Sequence, residues 1–300
     1  MIEKICRNLN IKYEKDVSLA EHTTFRIGGK ADYLVSPPGK EELAALLKKL
    51  KANNIPFFII GRGSNILVSD SGVRGVVVQM SEGFKHIEYN GSEVRAGAGV
   101  PLPRLLREAS GKGLKGLEFA WGIPGSLGGS LIMNAGAYGS CMGNVVKEVL
   151  ILTQKDELKK LRKEEIIFRY RGSTLKDEGH IVLEAVLSLE EGDGTLIREK
   201  VSELKKKRKE SQPPQPSAGS IFRNPSQAAA GKLIEDAGLK GKTLGGAAIS
   251  EIHANFIVNK GGARAAEVLE LINIAKEEVK KIYDIDLKLE IEVIGEKKSI

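Results

Sequence analysis

Leu43, Leu46, Leu47 and Leu50 recur at intervals of three and four within "EELAALLKKLKANN" (41–54), with Lys and Glu filling the gaps. That period predicts a helix with one apolar and one charged face. "IPFFII" then reads as a short buried strand, and "VRGVVVQM" (73–80) as another. "PLPRLLREASGKGL" (101–114) predicts a helix with prolines at its entrance and glycines at its exit. Strands are predicted at "EVLILTQ" (148–154), "EEIIFRYR" (164–171) and "HIVLEAVLSLE" (180–190). A helix over about 194–210 carries Leu196, Ile197, Val201 and Leu204 on one side, and "SQAAAGKLIEDAGLKG" (226–241) predicts a helix ending at a glycine. "ARAAEVLELINIAKEEVKKIYDI" (263–285) lines up Val268, Leu271, Ile272, Ala275, Val279 and Ile282 on one face. The closing "IDLKLEIEVIG" alternates as a strand. Ile285, Leu287, Leu289, Ile291 and Val293 face one way, Asp286, Lys288, Glu290 and Glu292 the other. The pattern is α+β, without internal repeats, and a boundary is expected near residues 190 to 215, where "SQPPQPSAGS" serves as a connection.

Two segments fit neither period. "GRGSN" (61–65) lies between two strands, which excludes a Rossmann turn, because that turn must open a helix. It lacks Gly-Lys-Ser/Thr, so it is no nucleoside-triphosphate loop either. A strand–loop–strand can still hold phosphate on backbone N–H groups, with Gly61 and Gly63 allowing close approach and Ser64 and Asn65 adding donors. The same residue types also suit an ordinary tight connection. Residues 121–143 hold seven glycines and no sustained period, yet Ile123, Leu127, Leu131, Ile132 and Met133 run through them. Irregular but apolar chain of that length packs against something, either a flat cofactor approached by backbone or the rest of the fold.

Composition narrows the class. The 300 residues are 41% hydrophobic and 28% charged, which describes a soluble globular protein with room for about two domains. No apolar run approaches the roughly 18 to 20 residues that span a bilayer. The charged start "MIEKICRNLNIKYEKD" has no apolar core of a secretory signal, and Cys6 and Cys141 fit a reducing compartment, so a cytoplasmic location is expected. The formal charge of +7 suits nucleic acid, a membrane surface or an anionic small molecule. "KKKRKE" (205–210) reads as a solvated helix face, and aromatics, at 5%, do not interleave with basic runs, so nucleic acid is the weaker reading. His22, His86, His180 and His253 lie far apart without ligand spacing, and no metal is expected. Nothing in the sequence calls for membrane insertion or an obligate protein partner.

Eight segments in order resemble the UDP-N-acetylenolpyruvoylglucosamine reductase (MurB) family: "HTTFRIGGKADYL", "GRGSNILVSDSG", "GIPGSLGGSLIMNAGAYG", "FRYRGS", "SAGSIFRNP", "AAGKLIEDAGLKG", "HANFIVN" and "LEIEVIG". They run from about residue 18 to 295. The resemblance implies a vanillyl-alcohol-oxidase (PCMH-type) FAD-binding domain over 1–193, with α+β subdomains of about 1–80 and 81–193, and a C-terminal α+β substrate-binding domain over 194–300. It implies FAD as bound cofactor, NADPH as hydride donor, and a nucleotide sugar, enolpyruvyl UDP-N-acetylglucosamine, as substrate. "GRGSN" would then cradle the FAD pyrophosphate through Gly61, Arg62, Gly63, Ser64, Asn65 and Leu67. Gly122, Ile123, Pro124, Gly125, Gly128, Gly129, Asn134 and Gly136 would contact the flavin, with Tyr138 toward the substrate.

Reduction needs a hydride at C3 of the enolpyruvyl group, stabilisation of the charge left at C2, and a proton there. By resemblance Arg171 contacts the substrate carboxylate, a task that suits a guanidinium fork, with Arg169 as its rival on the same strand face. Ser220 matches the family's proton donor, Asn224 a substrate contact, and Glu290 the assisting carboxylate. Periodicity does not separate Glu290 from Glu292; counting back from Gly295 selects Glu290, although Glu292 then stands where the family has arginine. The 48 residues between Arg171 and Ser220 contain no tyrosine, which predicts the shorter family type without the tyrosine-bearing substrate loop. The alternatives are another FAD-dependent oxidoreductase of the same fold and, further off, a basic nucleic-acid-binding protein.

Overall fold

The computed structural model describes residues 1–295. The chain forms two compact units, one from Met1–Glu14, Tyr33–Arg62 and Val76–Lys206, the other from Lys15–Asp32, Gly63–Gly75 and Lys207 onward. It passes between them inside "GRGSN", after Arg62.

In the first unit, helix Lys40–Ala52 buries all four of its periodic leucines. Glu41 and Glu42 lie in its first turn and Lys49 and Lys51 in its last, which suits the helix dipole. Strand Phe57–Ile60 runs parallel to the neighbouring Val76–Gln79, where three consecutive valines are fully buried. The central feature is a five-stranded antiparallel sheet in the order Leu158–Arg162, Val146–Leu152, Ile181–Ser188, Glu93–Gly97, Ile87–Asn90. Its register places Val149 opposite both Leu161 and Ala185, and Ala185 opposite Ala96, so one face is continuously apolar.

The irregular glycine segment contains a helix that periodicity did not predict, Leu127–Ile132. Ser126 begins it by accepting the Gly129 N–H at 3.4 Å, and a Cβ on Gly128 would come within 2.8 Å of the Ala98 Cβ. Close packing, which needs glycine here, substitutes for helix propensity. The strand expected over 164–171 is also absent. Lys163–Glu165 form a 3-10 turn, and only Phe168–Arg169 pair, with Gly172–Ser173. Arg171, at φ 55°, reverses the chain between them. Helix Gly194–Ser211 buries Ile197 and Leu204 but leaves Leu196 64% exposed. Adjacent residues lie about 100° apart on a helix, so Leu196 and Ile197 do not share a face.

The second unit is built on helix Ala265–Tyr283, which buries Val268, Leu271, Ile272, Ala275 and Val279. Ile282 is half exposed at its end, where Asp284 takes a left-handed conformation. Three short strands, Thr243–Leu244, Ala247–Ile249 and Ile257–Asn259, pair antiparallel. Helix Ala230–Asp236 is shorter than its sequence pattern, because Asn224 Oδ1 accepts the Ala230 N–H at 3.0 Å and fixes the start there. The closing strand is shorter too, Glu292–Ile294, since its parallel partner Ile66–Val68 is only three residues long. The alternation nevertheless survives in burial: Leu287 and Ile291 are buried, while Asp286, Lys288 and Glu292 are exposed.

Candidate active site

In the first unit the two glycine loops are joined. Arg62 Nε donates to the Pro124 carbonyl at 2.8 Å, and a Cβ on Gly61 would lie 2.2 Å from Ser126 Oγ. "GIPGSLGG" is held in turn to the segment before helix Leu102–Gly111. Gly125 O accepts Leu102 N–H at 3.0 Å, Leu127 N–H reaches Val100 O at 2.8 Å, and Gly128 N–H reaches Ala98 O at 2.9 Å. Ile123 N–H closes its own turn on Ala120 O at 3.0 Å.

The same unit brings Asn134, Gly136, Tyr138 and Arg171 together. Asn134 is buried; its Nδ2 donates to Arg169 O at 3.1 Å and its Oδ1 accepts Gly143 N–H at 2.9 Å. Gly136–Ala137 pair with Ser140–Cys141, with Tyr138 at the turn and 45% exposed. Arg171 Nη1 donates to Gly136 O at 3.1 Å, and its guanidinium lies 5.2 Å from the Tyr170 ring centre. Asn134, Tyr138 and Arg171 all have positive φ, at 43°, 53° and 55°. For Tyr and Arg that conformation costs on the order of 1–3 kcal/mol and persists only where surrounding contacts impose it. Arg169 pairs instead with Asp177.

In the second unit, Thr24 N–H donates to Gly63 O at 3.1 Å, Ser64 is half-buried and Leu67 is fully buried in the core. Asn65 works on the closing strand: its Nδ2 donates to Glu290 O at 3.1 Å, and its own carbonyl accepts Glu292 N–H at 2.9 Å. Ser220 and Glu290 lie on adjoining backbone. Glu290 N–H donates to Ile221 O at 2.8 Å, Arg223 N–H to Lys288 O at 2.9 Å, and Phe222 bridges Leu289. Glu290 is half-buried beside this junction, whereas Glu292 is exposed in the strand opposite Ile66. Asn224 is exposed.

The sequence reading left Asn255 and Asn259 without roles, although both are buried within the apolar run "HANFIVN". A polar residue repeated within an apolar run was the available signal. Asn259 Nδ2 donates to Phe25 O and Arg26 O, both at 3.1 Å, while its Oδ1 accepts Gly261 N–H at 2.9 Å. Burial holds the His253 pKa below its ordinary value; Lys240 pushes it the same way, against the opposing Glu235 charge. Among the described residues there is no cluster of three or more His, Cys, Asp or Glu with metal-ligand geometry, and no helix long and apolar enough to cross a membrane.

The FAD cradle can be tested on the backbone. Among the described residues, the N–H groups of Gly61, Arg62, Gly63, Ser64 and Asn65 donate to no acceptor, and neither do those of Gly122 and Gly125. Loops with unused backbone donors, in which a Cβ on Gly61 or Gly63 would collide with neighbouring atoms, fit a diphosphate approached by backbone.

A family profile described as an FAD binding domain matches residues 31–162. The fold and these loops define an FAD-dependent enzyme of the α+β class. A second profile, UDP-N-acetylenolpyruvoylglucosamine reductase, C-terminal domain, matches residues 212–294. The UDP-N-acetylenolpyruvoylglucosamine reductase of Bacillus licheniformis is 48% identical over 282 residues, 93% of each chain. That of Clostridium botulinum is 44% identical over 284 residues, 94% of this chain and 93% of its own. The crystal structure of the Thermus caldophilus enzyme (MurB) superposes with a TM-score of 0.83 at 38% identity, covering 94% of this chain and 99% of that one. The chain belongs to the UDP-N-acetylenolpyruvoylglucosamine reductase family.

Proposed function

We propose that this chain, in the cytoplasm, reduces the enolpyruvyl ether of UDP-N-acetylglucosamine to UDP-N-acetylmuramate for peptidoglycan precursor synthesis, with FAD bound and NADPH as reductant. The observation that carries the assignment of residues is the paired backbone of the Ser220 and Glu290 segments, with Asn65 of "GRGSN" bonded to the same strand. In this reading residues 1–193 hold the cofactor and residues 194–300 the substrate. Gly61 to Asn65 form the diphosphate cradle, which Leu67, contrary to expectation, does not line because it is fully buried in the core; Gly122 to Gly125, Gly128, Gly129, Asn134 and Gly136 form the flavin surface.

FAD, held by those residues, would when reduced supply the hydride that C3 of the substrate requires. Arg171 binds the carboxylate into which charge spreads from C2, and its bond to Gly136 O fixes the guanidinium plane. Ser220 delivers a proton to C2; its hydroxyl makes no hydrogen bond among the described residues, so its proton is uncommitted. A serine is a weak acid, and a carbanionic acceptor is what makes the transfer favourable. Glu290, half-buried with its N–H on the carbonyl of Ile221, the residue after Ser220, assists at the same carbon. Tyr138 and Asn224 complete the substrate contacts.

The test is an anaerobic titration followed in the visible range. NADPH bleaches the flavin band and the enolpyruvyl substrate restores it. Ser220→Ala keeps the bleaching and loses the recovery. Equal loss of both half-reactions rules out Ser220 as proton donor. A wild-type band that bleaches without recovering moves the activity to another electron acceptor.

A further inference from the structure

The run "HANFIVN" (253–259) has no part in the chemistry above, yet Asn255 is only 3% exposed and every polar group it carries is used. Its Oδ1 accepts the Phe222 N–H at 2.9 Å, and its Nδ2 donates to the Phe222 carbonyl at 2.8 Å. One side chain thus satisfies both backbone groups of Phe222, as a neighbouring strand would. Its own carbonyl accepts the Ile221 N–H at 2.8 Å, and its N–H donates to His253 Nδ1 at 3.2 Å. Ser220, one residue earlier, bridges Phe256. Regular strand pairing cannot extend to Phe222 from this side, because 253–256 is a turn closed by Phe256 N–H on His253 O. The amide replaces the missing rung.

On its other side the same segment meets the closing strand, through Glu290 N–H on Ile221 O. Ile221 and Phe222 are therefore held between Asn255 and the Glu290 strand, and Ser220 stands at the end of that clamp. We infer that Asn255 is the positioning residue for Ser220, setting the serine's place beside Glu290 through the backbone of Ile221 and Phe222. The inference rests on Ser220 being the proton donor. A displacement of about 1 Å at a reacting group can cost on the order of 10²-fold in rate. Only the step that uses the Ser220 proton is sensitive to it.

Asn255→Asp keeps the acceptor for Phe222 N–H but turns a carboxylate oxygen toward the Phe222 carbonyl. In the FAD-loaded variant, bleaching by NADPH stays within about twofold of wild type, while reoxidation by the enolpyruvyl substrate slows on the order of 10²-fold. Asn255→Ser, with one smaller donor and acceptor, gives an intermediate reoxidation rate at intact bleaching. Reoxidation at the wild-type rate in Asn255→Asp overturns the inference. Parallel decline of both half-reactions, or failure of both variants to retain FAD, also overturns it, by making Asn255 a general stabilising residue. Ser220→Ala run alongside separates the two ideas: normal reoxidation there removes the premise, whereas loss there with normal Asn255→Asp removes only the positioning role.

Discussion

Gly61→Ala tests whether the GRGSN loop is built around the start of the short helix Leu127–Ile132. The new methyl carbon would sit 2.2 Å from Ser126 Oγ and 3.2 Å from Ser126 Cβ. The hydroxyl must rotate away, which breaks its cap on Gly129 N–H and costs about 1 kcal/mol. The remaining carbon–carbon contact is still short of the usual 3.5–4.0 Å separation and adds about 1 kcal/mol of overpacking. Gly61→Ala should therefore destabilise the first unit by about 2 kcal/mol, and Ser126→Ala, which loses only the cap, by about 1 kcal/mol. In the double variant the cap is already gone and only the crowding remains to be added. Its total is again about 2 kcal/mol, below the sum of the single changes by about 1 kcal/mol. Urea unfolding followed by fluorescence of the single tryptophan, Trp121, reads all four proteins. Any loss of FAD affinity caused by Gly61→Ala enters both backgrounds and cancels in the coupling. An additive cycle, with Gly61→Ala costing the same whether or not Ser126 keeps its hydroxyl, would refute the packing argument.

Asp70 caps helix Ala265–Tyr283 from outside it, accepting Ala265 N–H at 2.7 Å and Ala266 N–H at 2.9 Å. Asp70→Ala should cost about 1–2 kcal/mol by urea unfolding followed in the far-UV circular dichroism, and an unchanged midpoint would remove the cap from the account. His253 makes the second unit sensitive to acid. Its folded pKa lies below the ordinary 6.5, so the unfolded chain takes up its proton first as pH falls. Stability from this group is complete above pH 6.5, declines as pH drops through 6.5 toward the depressed folded value, and levels off below it. Protonation also removes the lone pair on Nδ1 that accepts the Asn255 N–H. The urea midpoint of wild type minus that of His253→Phe should shrink over that window; a difference independent of pH contradicts the assignment.

What the sequence made legible was what has a short period. The leucines of Lys40–Ala52 and the apolar face of Ala265–Tyr283 could be placed because each residue's neighbour in space is three or four positions away. The failures have the opposite character. Leu127–Ile132 forms because Ser126 caps it and Ala98 lies against Gly128, neither of which leaves a helical pattern. Tyr138 and Arg171 hold left-handed conformations that neither residue type announces. The catalytic candidates could be named by resemblance to a family, but not related to one another, because Asn65 and Asn255 reach the Ser220 and Glu290 segments through bonds to main-chain groups, which carry no residue signature.

The ambiguity between Glu290 and Glu292 is the clearest case. Two like residues at a spacing of two share a strand face, and only the register against a partner separates them. That partner is Ile66–Val68, directly after the glycine loop, with Glu292 opposite Ile66. Asn65 pins this register twice, by its side chain on the Glu290 carbonyl and by its own carbonyl on the Glu292 N–H. A slip of two residues along Ile66–Val68 would put Glu292 in the place of Glu290, and it would have to break both bonds. Asn65 therefore acts at the junction of two features that the sequence displayed separately, the glycine loop and the run that leads from the candidate acid Glu290 into the closing strand.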